Sequence, residues 1–143
     1  MVGWRPSCRR KKKVDSVAFQ WELNCLRQSI RQSQKRVCAD FGVEVCEAFD
    51  GDKVGISETA LDGLMPLNGL RHPPKSGVTG WYLWGGLELS DADDFFKPMH
   101  LAHLERNCGP GLKFLLLPPG WRFLTDGEYE DVWFDPTLLE IDN

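Results

Sequence analysis

Trp121-Arg122-Phe123-Leu124-Thr125-Asp126-Gly127-Glu128-Tyr129-Glu130-Asp131-Val132-Trp133-Phe134 is the stretch on which the fold turns. Residues 121–124 read as a strand rich in aromatic residues, and Thr125-Asp126-Gly127-Glu128 supplies the turn chemistry of a tight hairpin. Residues 129–134 then return as the last strand or extended segment. A hairpin is antiparallel by construction, so at least this part of the sheet runs that way.

Working outward, Pro118-Pro119-Gly120 is the turn that leads into the hairpin, and Gly80-Trp81-Tyr82-Leu83-Trp84-Gly85-Gly86 reads as a buried strand closed by a glycine turn. Lys53-Val54-Gly55-Ile56-Ser57 is a further strand, set up by the turn Asp50-Gly51-Asp52. Residues 61–70 form a mixed segment broken by Gly63, Pro66 and Gly69, and residues 72–77 a surface loop whose Pro73 and Pro74 cannot donate to a ladder. Upstream, Leu23, Leu26, Ile30, Val37 and Phe41 recur at helical spacing, with Ser16 as a candidate N-cap and Gly42 as the stop. An acidic loop at residues 90–94 precedes a second expected helix over 96–107, with Leu101, Leu104 and Cys108 facing inward. Helices and strands do not alternate regularly. The pattern predicts an α+β fold, a small mainly antiparallel sheet packed against two helices in a single domain spanning 15–143.

Charge separates the chain into two regions. Residues 1–36 hold ten Lys/Arg against two acids, whereas the rest holds seven against nineteen. The cluster Arg9 to Lys13 marks residues 1–14 as a basic, flexible tail, and without interleaved aromatics it is a weak nucleic-acid signal. The five cysteines are odd in number and scattered, which suits free thiols in a reducing compartment better than a disulfide framework. No apolar run approaches the length of a membrane span or a secretory signal, so the expected location is the cytoplasm.

Catalytic apparatus is not legible. His100 and His103, at i and i+3 with Cys108 beyond, fall short of the three or four ligands a zinc site uses. No G-x-S-x-G elbow occurs, and Gly109-Pro110-Gly111-Leu112-Lys113 lacks phosphate-loop spacing and a following Ser/Thr. The carboxylates Glu88, Asp91, Asp93, Asp94, Glu128, Glu130 and Asp131 sit in expected turns, where they read as solvated acids rather than the buried pair that acid–base work needs. The sequence thus predicts no enzyme, no cofactor and no metal. Trp81 and Trp84 lie three apart on one strand and should face opposite sides of the sheet. Aromatics fill small cores well, but a partly exposed Trp84 beside the acidic loop would make a partner anchor.

Several runs, in order, resemble a bacterial family of immunity proteins from polymorphic toxin systems, the immunity-thirty-three-like family. They are Lys53-Val54-Gly55-Ile56, Leu67-Asn68-Gly69-Leu70-Arg71-His72-Pro73, Gly80-Trp81-Tyr82-Leu83-Trp84, Leu89-Ser90-Asp91 with Asp94-Phe95-Phe96-Lys97-Pro98, Leu117-Pro118-Pro119-Gly120-Trp121-Arg122-Phe123-Leu124, and Tyr129-Glu130-Asp131-Val132-Trp133-Phe134-Asp135. The resemblance implies a cytoplasmic antidote that binds and neutralises a cognate protein toxin, and it carries over no catalytic residues. The acidic body suits a toxin with a basic active site, with Trp84, Glu88, Asp91, Asp93, Asp94, Glu128, Glu130 and Asp131 as the expected contacts. Two other classes compete with this reading. One is a non-catalytic binding module for nucleic acid or a small ligand, and the other a metal-dependent hydrolase centred on His100 and His103.

Overall fold

The structure, a computed structural model, describes residues 16–140; the expected basic tail at 1–14 lies outside the described residues. Cα packing divides the chain between Gln32 and Ser33. The described part of the first unit belongs to helix α1 (Ser16–Asp40). Of the expected stripe, Leu23 and Ile30 are half-buried there and Leu26 is exposed.

In the second unit the end of α1 is pinned to the core. Gln34 Nε2 donates to the Leu112 carbonyl (2.8 Å) and the Cys38 thiol to the Leu116 carbonyl (3.4 Å). Val37 packs on the core beside the buried Cys38. The helix stops where the sequence says it should. Gly42 has φ 69°, its N–H donates to the Ala39 carbonyl (3.1 Å), and the Val43 N–H donates to the Cys38 carbonyl (2.9 Å). That pairing is the Schellman arrangement, which uses up carbonyls that a helix end leaves free.

Among the described residues six strands make one sheet: β1 (Lys53–Ser57), β2 (Leu67–Arg71), β3 (Val78–Gly85), β4 (Phe96–His100), β5 (Trp121–Thr125) and β6 (Glu130–Phe134). The spatial order is β4-β1-β3-β2-β5-β6. Only the β1–β3 pair is parallel; the others are antiparallel, the expected β5–β6 hairpin among them. A one-turn helix α2 (Glu58–Leu61) follows β1, capped by the Ser57 side chain. The α+β class holds.

Two local expectations fail for identifiable reasons. Residues 96–107 are not a helix: β4 occupies the first five and a 310 turn, Leu101–Arg106, the rest. Pro98 would break a helix, but β4 lies at the edge of the sheet order, where a strand tolerates proline. The mixed segment at 61–70 hides β2, whose residues are all buried. Its Gly69 reads as a breaker but is a packing requirement, since a Cβ there would meet Phe123 Cε2 at 2.2 Å.

The sheet buries both faces unequally. Trp81, Leu83, Leu67, Phe123, Val54 and Ile56 join Phe114 to Leu117 in the main core. Trp84 lies in a smaller cluster with Leu70 and Leu138, with Tyr82, Phe95 and Phe96 packed against it. The two tryptophans do face opposite sides, but neither is exposed: Trp81 is 0 % and Trp84 4 % accessible.

Arg71, also 0 % exposed, closes the main core. Its Nε donates to the Thr79 carbonyl (2.9 Å), Nη1 to those of Cys46 (2.9 Å), Leu115 (3.4 Å) and Leu117 (2.9 Å), and Nη2 to that of Glu47 (2.9 Å). The guanidinium sits 5.7 Å from the Trp81 ring centre, and Trp81 Nε1 donates to the same Leu115 carbonyl (2.8 Å). Only a planar fork of five donors fits such a cradle. Arg71→Met should therefore destabilise the fold by about 3–5 kcal/mol in urea denaturation, because orphaned backbone carbonyls cannot be mutated away. Arg71→Lys should lose less, since its ammonium still satisfies some of them.

Candidate functional site

Strand register gathers the acidic connections at one end of the sheet. Gly85, the last residue of β3, pairs with Leu67 at the start of β2. Leu67 pairs with Thr125 at the end of β5, and Thr125 with Glu130 at the start of β6. Across β1 the same end carries Ser57, opposite Phe96 at the start of β4. Residues 58–66, 86–95 and 126–130 thus emerge together. Their charged residues are Glu58, Asp62, Glu88, Asp91, Asp93, Asp94, Asp126, Glu128 and Glu130, with no Lys, Arg or His among them. The β3 and β6 ends of this row stand three strand spacings apart, about 14 Å.

The bases of these connections are fixed by buried polar groups. Asn68 Nδ2 donates to the carbonyls of Pro66 (3.1 Å), Trp84 (3.3 Å) and Gly86 (2.8 Å). The Gly86 N–H donates to the Pro66 carbonyl (2.9 Å), and the Gly85 N–H to Thr59 Oγ1 (3.0 Å). Thr59 Oγ1 lies 2.7 Å from Ser57 Oγ, the N-cap of α2. Gly85 is required here, because a Cβ would meet the Leu64 carbonyl at 2.3 Å. In the hairpin turn, Asp126 Oδ1 accepts from the N–H groups of Tyr129 (2.7 Å) and Glu128 (2.9 Å).

Glu88, Asp91, Asp93, Asp94, Glu128, Glu130 and Asp131 are all exposed, and the topology brings all but Asp131, one step along β6, to this single end. Glu130 is also ion-paired with Lys113. Trp84 departs from expectation. Buried on the second face, it cannot be an exposed anchor; its ring lies 6.2 Å from Phe96, which lies 4.8 Å from Phe95. It therefore supports the far base of the 86–95 connection from beneath. Sequence reasoning missed Asn68, Ser57 and Thr59: the Asn68 amide and the Thr59 hydroxyl reach backbone of residues 84–86 that only the fold brings close, and Ser57 caps α2 locally.

The remaining candidates do not assemble. His100 and His103 are exposed, with ring centres 5.9 Å apart. Burial pushes the Cys108 thiol up to about 11, so it is neutral at pH 7 and no ready ligand or nucleophile. Among the described residues no group of three or more His, Cys, Asp or Glu is placed to hold a metal, and no helix is long and apolar enough to cross a membrane. Gly111, from the phosphate-loop candidate, is buried beneath Leu67 and Phe123. At the opposite end of the sheet, His72, Pro73, Lys75, Val78, Gly80, Tyr82 and Glu140 line a pocket of about 470 Å³. His72 Nδ1 there donates to the Leu138 carbonyl (3.0 Å).

The fold and this end define a small α+β open-sheet domain whose acidic connections converge on one side. The model of the Imm33-like domain matches residues 33–135, from the boundary between the two packing units to one residue beyond β6. The chain belongs to the Imm33-like family. No curated protein and no solved structure matches it.

The N–H groups of Tyr129 and then Glu128 hold the Asp126 carboxyl below the usual aspartate range. A folded pKa below the unfolded one, about 3.9, stabilises the turn above that value and ceases to do so as pH falls through the folded pKa. An NMR pH titration should show the Tyr129 and Glu128 amide shifts moving with a midpoint below that of an ordinary aspartate. Asp126→Asn should abolish that transition.

Proposed function

We propose that this chain is an immunity protein that binds and neutralises a cognate protein toxin in the cytoplasm of its producer. The acidic end of the sheet covers a basic functional surface of that toxin. Family membership supports the class, and the observation that carries the mechanism is the convergence of three base-free acidic connections on one rigidly rooted end.

An acidic field of one sign steers a basic partner and raises the association rate, and it repels acidic competitors. Glu88, Asp91, Asp93, Asp94 and Glu128 supply that field, Glu130 and Asp131 extend it along β6, and Trp84 supports the loop from within. The chain contributes occlusion rather than chemistry. Its carboxylates at this end are exposed rather than set in a closed, buried site.

The decisive experiment is co-expression with the product of the reading frame that precedes this one. The chain should restore growth; a neighbour that is harmless, or whose toxicity persists, sinks the proposal. With the purified pair, reversing Asp91, Asp93 and Asp94 to Lys should slow association by about tenfold or more at low salt, with the difference shrinking as salt rises. The pocket at the other end favours a second reading, a small-ligand module. Under it Lys75→Ala impairs function and the acid reversal does not.

A further inference from the structure

The acidic end also carries an apolar centre. Leu87 is 86 % exposed, Leu64 51 % and Met65 39 %. Leu64 is far from this turn in sequence but its side chain lies over Gly86, the residue before Leu87: a Cβ on Gly86 would meet Leu64 Cδ2 at 2.8 Å. Isolated exposed leucines are ordinary, whereas adjacent ones on fixed backbone within a charged rim mark contact surfaces.

The backbone beneath them is set before any partner arrives. Gly86 holds φ 88°, its N–H is bonded to the Pro66 carbonyl and its own carbonyl to Asn68. Leu87 is thereby projected from a braced turn, and docking it costs little ordering entropy. Asp62 and Glu88 flank the pair, and neither connection holds a basic residue. Charge complementarity thus selects the occupant.

We propose that Leu87, with Leu64 and Met65 beside it, is the hydrophobic anchor of the toxin contact, seated in an apolar recess within a basic protein surface. This rests on the toxin-binding reading and assigns the anchoring role that the buried Trp84 cannot fill. The acids govern how fast the partner arrives; the leucines govern how long it stays.

The test uses the full chain and the purified product of the preceding reading frame, followed by surface plasmon resonance at two salt concentrations. Leu87→Ser should weaken binding by about tenfold or more, through faster dissociation, with the salt dependence of association retained. Leu64→Ser/Leu87→Ser should weaken it further, and Leu139→Ser, an exposed leucine outside these connections, should not. Affinity for Leu87→Ser within about twofold of the parent overturns the anchor while leaving the toxin-binding reading intact, provided the acid reversal still slows association. A loss of thermal midpoint in Leu87→Ser assigns the side chain to folding and also overturns the anchor. Failure of the parent chain to bind removes the toxin-binding reading itself, and the anchor with it.

Discussion

A charged guanidinium buried in an all-carbonyl cradle is an expensive thing to build, and much of the second unit is arranged around it. Among the described residues no carboxylate is paired with Arg71; backbone dipoles from residues 46–47, 79, 115 and 117 solvate it instead. Burial pulls its pKa down from the ordinary arginine value. The same burial raises the Cys38 thiol, an effect the nearby Arg71 charge opposes. The five carbonyls arrive from three separate segments, so the cradle exists only when the stretch after α1, the start of β3 and the run before β5 are all in place. Gly80 makes one of these arrivals feasible. With φ 92° it lets the chain pass the His72 carbonyl, which a Cβ would meet at 2.0 Å.

Strand β2 extends this control to both ends of the sheet. Leu67, Gly69 and Arg71 face the main core, while Asn68 and Leu70 face the second cluster, the alternation a strand imposes. Arg71 fixes one end through carbonyls of the core. Asn68 fixes the other through carbonyls of the Pro66 and Gly86 turns. Each is a polar side chain that a purely hydrophobic strand would lack, and each is satisfied by backbone rather than by another side chain. Such contacts specify position without depending on pH, since amides and guanidinium groups do not titrate near neutrality.

The hairpin at 121–134, the Gly42 stop and the opposed faces of Trp81 and Trp84 were legible because each follows from local chemistry or from strand period. Strand β2 was not, because Pro66 and Gly69 carry the same letters whether they break a strand or make room for Phe123. The segment at 96–107 misleads for the opposite reason. Leu101 and Leu104 keep a helical interval in a 310 turn, and only the pairing of Lys97 to Ile56 and of Phe96 to Ser57 reveals the edge strand. The acids of the candidate site were readable as loop residues, but their convergence depends on register across four strands. A charge count supplies no register. Arg71 was invisible as a buried cation because carbonyl partners leave no complementary acid in the sequence to point at it.

The acidic end sets a cost against a use. Like charges held within a few strand spacings repel one another and favour the open chain. The fold offsets this locally: Lys113 pairs with Glu130, and the Asp126 carboxylate is absorbed by two amides of its own turn. The acids of residues 88–94 remain fully in water. They are carried on a connection whose start is clamped by Asn68 and Thr59 and whose last residue, Phe95, packs on Phe96, itself held by Trp84 and Tyr82. Bracing at both bases and exposure between them keeps the repulsion from propagating into the sheet. A surface kept charged at a cost to its own stability, on a scaffold stiff enough to bear it, is physically suited to meeting an opposite charge. That is why the tryptophan beneath this loop matters more as its foundation than it would as its contact.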